Sequence, residues 1–425
     1  MTREPISRFP GPRSTSLPVA RLHAGKDKPV RHRHPWIFSG AIQRVDGSPA
    51  PGELIEVEDV QGDWLARGYY NPHSQISIRI LTWDRDENID AAFWRRRMEA
   101  SAAARAALAA DAGTTAYRLV YAESDGLPGL VVDSYSQSGG AGSGAPSEDD
   151  WLAVQFLTAG VEVRREELLD ALEAQFAPRG IVDRSDVTVR RQEGLPLRRE
   201  LCRGAAPPLD LEILENGLRF HVDLLGGQKT GFYLDQRENR RIVGAHARGR
   251  RVLNAFSFTG AFGVYALAGG ALHVTNVDSS FEALERAEAV LCLNGFDPDR
   301  QSEGIAGDVF QVLRAFRDEG RQFDLVILDP PKFARSKADL PAATRGYKDI
   351  NLLGFKLLAP GGLLATFSCS GSVTPDLFQK VVFGASLDAG RDAQIVTKLG
   401  QGSDHPVLLS FPEGEYLKGL LCRVG

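Results

Sequence analysis

The chain has 425 residues, of which 43% are hydrophobic and 25% charged, with a formal net charge of −5. These values describe a folded globular protein of roughly two to four domains and exclude one that coats nucleic acid indiscriminately, while leaving room for local basic surfaces. No apolar run reaches the length of a membrane span, and four cysteines with no C-x-x-C pair imply neither a disulfide framework nor a zinc site, so no metal is expected.

Residues 1–16 carry Arg and Pro but no apolar core and read as a disordered tail, not a signal peptide, which places the protein in the cytoplasm. Residues 21–34 (RLHAGKDKPVRHRH) are rich in Arg, Lys and His and run into Pro35-Trp36-Ile37-Phe38. A basic stretch beside an aromatic suits an RNA-contacting edge, and equally a solvated face of a small β domain. Short alternating runs between Leu54 and Leu81 predict a compact β-barrel, so a first domain spans 17–87. A helix over 88–110, capped by Asn88 or Asp90, opens a central α/β domain at 88–206 with strands at YRLVYA, GLVVDSY, WLAVQFL and IVDRS around a helix at 162–176. Residues 137–150 (QSGGAGSGAPSEDD) read as a mobile loop with no assigned function.

The third domain, 207–425, begins at Asn216-Gly217, a strong hairpin signal between two β-type runs. The segment 226–237 leads into a helix expected to be capped by Asp235, and from Arg251 strands and helices alternate regularly. That alternation predicts a parallel sheet with helices on both faces, whose ligand binds beyond the carboxyl ends of the strands.

The first strand-to-helix turn, Asn254-Ala255-Phe256-Ser257-Phe258-Thr259-Gly260, holds a single glycine. It fits neither a dinucleotide fingerprint nor a P-loop, so a ligand without phosphates is expected, S-adenosylmethionine above all. Asp278, followed by Ser279, ends the second strand where it can accept ribose hydroxyl protons. Asp308, before Val309, follows the third strand where it can accept from an adenine amino group. Each acid also suits a helix N-cap. The fourth strand, FDLVILDPPK, ends at Asp329, whose two prolines fix how Asp329 and Lys332 leave the sheet.

Cys369, in Phe367-Ser368-Cys369-Ser370-Gly371, is the one cysteine at the ligand edge. Cys202 reads as a loop residue, Cys292 as a helix residue and Cys422 as part of an apolar run, each with a packing explanation. A thiolate at Cys369 suits methylation of a pyrimidine C5, which becomes nucleophilic only after addition at C6. Lys332 is expected to depress the thiol pKa.

With these motifs, and with Gln228 to Arg237 (QKTGFYLDQR), Tyr347-Lys348-Asp349-Ile350-Asn351 and His34 to Gly40 (HPWIFSG), the chain resembles the bacterial class I methyltransferases that form 5-methylcytosine in large-subunit 23S ribosomal RNA. The resemblance implies a fold of PUA barrel, central α/β domain and Rossmann-like catalytic domain, with Cys369 as the nucleophile. It also brings Gln228, Lys229 and Tyr233 to the methionine end of the cofactor. Many RNA cytosine-C5 enzymes have a second Cys where this chain has Lys332, so release here follows another route. Residues 137–150 look like an insertion. RNA, free or in a subunit assembly intermediate, is the expected partner, and a homodimer is compatible with the sequence. The competing readings are a 5-methyluridine enzyme, a guanine-N methyltransferase and a non-catalytic RNA-binding protein.

Overall fold

The computed structural model describes residues 17–137, 149–227, 229–334 and 336–425. The expected tail at 1–16, most of the loop expected at 137–150, and Gln228 lie outside the described residues. Among the described residues no helix is long and apolar enough to cross a membrane.

The N-terminal sheet has six strands, with Trp36–Phe38 at one end of the order and Ile42–Asp46 at the other. These two end strands are joined by the single turn Ser39–Ala41, which brings the sheet's edges together in a barrel-like curl. Period-two alternation puts Ile55 and Val57 of Leu54–Glu58, and Ile78 and Ile80 of Ile76–Thr82, into its core with Ala20, Leu22 and Ile37.

The central sheet runs Glu200–Gly204, Gly180–Asp183, Asp150–Phe156, Leu130–Ser136, Ala116–Tyr121. The helix Ala91–Ala104 packs on it and is capped by Asp90, not Asn88: the Asp90 side chain accepts from the Phe93 amide at 2.9 Å. Cys202 lies in the edge strand of this sheet, not in a loop. The reason is that its strand, Glu200–Gly204, is exposed or half-buried throughout and so shows no apolar alternation.

The C-terminal sheet has seven strands: β1 (Arg251–Ala255), β2 (His273–Asp278), β3 (Ser302–Ala306), β4 (Phe323–Leu328), β5 (Leu358–Ser368), β6 (Ala393–Gly400) and β7 (Lys418–Val424). Their spatial order is β3-β2-β1-β4-β5-β7-β6, with β7 antiparallel to both neighbours. One face packs on the helices Arg237–Ala245 and Ala261–Ala268 and on the hairpin Leu211–Glu215 and Leu218–Val222. Asn216 and Gly217 at the hairpin's turn both have positive φ, 49° and 80°, the backbone an Asn-Gly turn is chosen for. The other face packs on Val309–Asp318, Leu340–Leu357 and Pro375–Asp388. The helix Leu340–Leu357 follows directly on the 3-10 turn Lys337–Asp339, which Ser336 and Asp339 close with a capping box, and Pro341 sits in the helix's first turn.

Candidate active site

The apolar run of β4 is buried apart from Asp324, and β4 pairs in parallel with β5, with Leu328 opposite Thr366. Asp329 and Cys369 therefore leave adjacent strands at one edge. Both are half-buried. Burial, then the negative charge of Asp235, pushes the Asp329 carboxyl up to about 7, while a bond from Gln236 opposes the rise.

The Cys369 thiol is pushed up, not down, first by burial and then by Asp329 and Asp235. The expectation of a thiol depressed by Lys332 is thereby corrected. Lys332 is exposed, and its downward pull is weaker than that of Lys229. A solvated ammonium counts for little against desolvation of the thiol.

Lys229 lies 2.9 Å from Asp235 Oδ2 and 4.0 Å from the centre of the Tyr233 ring. The Tyr233 hydroxyl is raised by burial and then by the charges of Asp329, Asp235, Cys369 and Asp278, so both ends of the candidate site act on this one ring. It meets Phe258 edge to face with centroids 5.5 Å apart. Asp235 does not cap the helix Arg237–Ala245, whose N-cap is Gln236. Asp235 is buried in a 3-10 turn, where it accepts from Lys229 and from the Tyr416 hydroxyl. Burial alone would raise its pKa, but Lys229, His405 and the Tyr416 bond hold it well below the carboxylate range. Tertiary partners far along the chain thus claim a side chain that local spacing assigns to the helix.

The turn after β1 is tight. Phe256 and Phe258 have φ of 59° and 47°, a region non-glycine residues rarely adopt and which concentrates at ligand sites. Gly260 has φ of 74°, and a Cβ there would stand 2.7 Å from the Ala287 Cβ. The Ser257 amide donates to Val277 O at 3.0 Å, while the buried Ser257 hydroxyl has no partner among the described residues. Asn254 is buried and its side chain donates to Asn276 at 2.9 Å, so it braces β1 against β2. The Asp329 amide faces Ala255 O at 3.5 Å, and Thr259 is half-buried.

The helix-cap reading fails for Asp278 and holds for Asp308. Ser280 caps the helix Phe281–Leu293, while Asp278 accepts the amides of Phe258 at 2.8 Å and Ser280 at 3.0 Å and keeps lone pairs for a ligand. Asp308 caps Val309–Asp318 by accepting from the Gln311 amide. Ser279 is exposed and Val309 buried. Phe310, which follows Val309, lies 6.3 Å from Phe256 and 6.1 Å from Phe333 between ring centres, forming an aromatic wall. An orphan hydroxyl, an oriented carboxylate and an aromatic wall fit an adenosine-bearing ligand without phosphates.

Sequence reasoning missed Gln236 and Lys418. Lys418, at the start of β7, donates to Ser370 O at 2.8 Å and Val373 O at 2.7 Å, and burial lowers it to about 8. It fastens the turn that carries Cys369. The apolar run around Cys422 does not reveal that its strand pairs with β5, so the sequence does not place this lysine at the edge.

Trp36 is not free for RNA. Its indole donates to Glu123 at 2.7 Å and its ring meets Phe411 at 4.6 Å, sealing the N-terminal sheet against the rest of the molecule. Of the other cysteines, Cys422 is buried in β7, and Cys292 is exposed, so packing does not explain Cys292. Asp183, Glu200 and Cys202 bring donor atoms within 4.8 Å of one another. The Arg165 guanidinium already lies 3.1 Å, 2.7 Å and 3.0 Å from the three, in the place a cation would take.

Residues 200–394 match the family described as S-adenosylmethionine-dependent methyltransferase, and residues 20–83 match the PUA-like domain. The chain is similar in fold to a candidate S-adenosylmethionine-dependent methyltransferase from Streptococcus mutans, at 21% identity and a TM-score of 0.80 over 96% of this chain and 100% of that one. It is equally similar to a methyltransferase solved in complex with S-adenosylhomocysteine, at 21% identity and a TM-score of 0.81 over 96% and 100%. Ribosomal RNA large subunit methyltransferase I of Klebsiella pneumoniae (strain 342) is 47% identical over 96% of this chain and 98% of its own length. The protein of the same name from Aeromonas salmonicida (strain A449) is 49% identical over 95% and 98%. At that identity over nearly its whole length, this PUA-like and methyltransferase chain belongs to the ribosomal RNA large subunit methyltransferase I family, whose cofactor is S-adenosylmethionine.

Proposed function

We propose that the protein methylates C5 of a cytosine in large-subunit 23S ribosomal RNA through a covalent bond between Cys369 and C6 of the base. The observation that carries this reading is the shared edge of β4 and β5, where a cysteine stands beside a carboxyl poised to hold a proton near neutral pH. Methylation at nitrogen has a lone pair to use and needs no such thiol.

In this reading Cys369, as thiolate, adds to C6, and the C5–C6 π electrons move into the ring as Asp329 delivers its proton to N3. C5 is then enamine-like. S-adenosylmethionine supplies the electrophilic methyl group. Asp278, Ser279, the turn of residues 254–260, and Asp308 with Val309 hold its adenosine half. Lys229 and Tyr233 would flank its methionine half, where the resemblance also assigns Gln228. After transfer the C5 proton leaves to a base, the C6–S bond breaks, and the N3 proton returns to Asp329. Lys229, whose downward pull on the thiol exceeds that of Lys332, favours the thiolate. A cytoplasmic location fits this substrate.

RNA carrying 5-fluorocytosine tests the scheme, because fluorine at C5 cannot leave as a proton. A covalent protein–RNA band that requires S-adenosylmethionine and disappears in Cys369→Ala is expected. Methyl transfer to ordinary RNA by Cys369→Ala, with no band from the wild type, would sink the scheme and point to nitrogen methylation.

A further inference from the structure

β6 ends at Gly400 opposite Lys418, the first residue of β7, and Lys418 pairs with Ser368 of β5. The connection 401–417 therefore leaves the sheet at the edge where Cys369 lies. Both its limbs are fastened. On one, the Gly402 amide donates to Asp235 O at 3.1 Å, and Asp404 accepts from Arg237 at 2.7 Å and from the Arg118 amide at 2.9 Å. On the other, Phe411 packs on Trp36, Gly414 O accepts from the Tyr121 hydroxyl at 2.8 Å, and Tyr416 donates to Asp235.

Between the limbs Val407, Leu408 and Leu409 are exposed, Leu409 completely. The Phe411 amide closes the tip by donating to Leu408 O at 2.8 Å. A braced loop that starts and ends at the thiol's edge of the sheet thus holds three consecutive apolar side chains in water, an arrangement that marks a contact surface.

Resting on the RNA reading above, we infer that Val407, Leu408 and Leu409 form an apolar wedge that enters the RNA stack next to the target nucleotide and holds that base out towards Cys369. A base that undergoes chemistry has to leave its stack, and apolar side chains inserted at a base step occupy the surface it vacates. Lys332, exposed at the same edge, offers charge to a flanking phosphate. RNA is the occupant because the loop springs from the same strand ends that carry the candidate thiol, where the base has to arrive.

The test compares the full chain with its Leu408→Ser/Leu409→Ser variant on a large-subunit ribosomal RNA transcript. Total methyl transfer, whichever atom receives it, is measured on the folded transcript and on one altered so that the nucleotide mapped with the wild type is unpaired and unstacked. The double variant is expected to lose at least about tenfold in kcat/KM on the folded RNA and to recover most of it on the altered RNA, with S-adenosylhomocysteine affinity within about twofold of wild type. Leu272→Ser removes another exposed leucine, at the opposite edge where β2 begins, and should match the wild type. Unchanged kinetics on folded RNA, or an equal loss on both RNAs, overturns the wedge. So does a variant that alters only oligomeric state, which would assign the tip to a second copy. Wild-type label on a nucleotide other than cytosine refutes the cytosine reading separately and leaves the wedge comparison standing.

Discussion

Lys229 and Asp235 form an ion pair 2.9 Å long whose two members act on Cys369 in opposite directions, the ammonium drawing its thiol pKa down and the carboxylate driving it up. Burial adds to the upward side and wins. In Lys229→Met the downward pull is gone while Asp235 stays, so the thiol becomes harder to ionise. Alkylation of Cys369 by iodoacetamide, followed by peptide mass spectrometry in a Cys292→Ser background, should show its pH midpoint moved upward. Lys332→Met should move it less.

Asp329 provides a pH signature of its own. Its folded-state pKa, about 7, stands above the ordinary carboxylate value of 3.8, so between those values the folded chain binds more protons than the unfolded one. The sign follows from linkage: this group's contribution favours folding at low pH and is lost as pH rises from about 4 to about 7. A tenfold change in proton affinity corresponds to roughly 1.4 kcal/mol, and half-burial reduces the effect. Asp329→Asn should therefore stabilise the protein at pH 8 by on the order of 2 kcal/mol and change it little at pH 4. Urea denaturation at both pH values measures this. The same variant should lose methyl transfer.

Asp404 should behave in the opposite sense. His405 and Arg237 hold it well below the carboxylate range despite the opposing effect of burial, so its stabilisation is present above about pH 4 and lost as pH falls further. Asp404→Ala also leaves the fully buried Arg237 without its hydrogen-bonded carboxylate, with only Glu238 at 3.8 Å. Breaking a buried pair on one side costs roughly 3–5 kcal/mol. Thermal melts at pH 7 should show a large drop, and proteolysis should cut first within residues 401–417, which Asp404 fastens.

Gly260→Ala tests the turn after β1. A methyl group there meets the Ala287 Cβ at 2.7 Å with φ at 74°, so the turn has to open. Calorimetry should report S-adenosylhomocysteine binding weakened by about tenfold or more, equivalent to roughly 1.4 kcal/mol, while the β1–β4 sheet core, monitored by far-ultraviolet circular dichroism, stays folded.

The alternation of buried strands and amphipathic helices makes β1 to β5 legible, because the sequence carries their period directly. β6 escapes for a physical reason: its residues 393–396 are all exposed, so it shows no half-buried alternation. Without β6 and β7, Lys418 and the exposed tip at Val407–Leu409 stay concealed as well. Within the candidate site, residues defined by strand ends, Asp278, Asp329 and Cys369, can be placed from the sequence. Asp235 cannot, since its partners Lys229, Tyr416 and His405 converge from segments nearly 190 residues apart in numbering. The protonation of Cys369 is hidden too, because sequence shows nearby charges but not burial.

The placement of β7 also bears on biosynthesis. Lys418, which ties down the turn behind Cys369, is made about fifty residues after that cysteine, a delay of roughly 2–10 s at ~5–20 residues per second of translation. Until then β5 has an open edge and the Cys369 turn is untethered. A nascent chain therefore carries its cofactor-side strands before its thiol is fixed in place, and gains methyl-transfer competence in one late step, when β7 slots between β5 and β6.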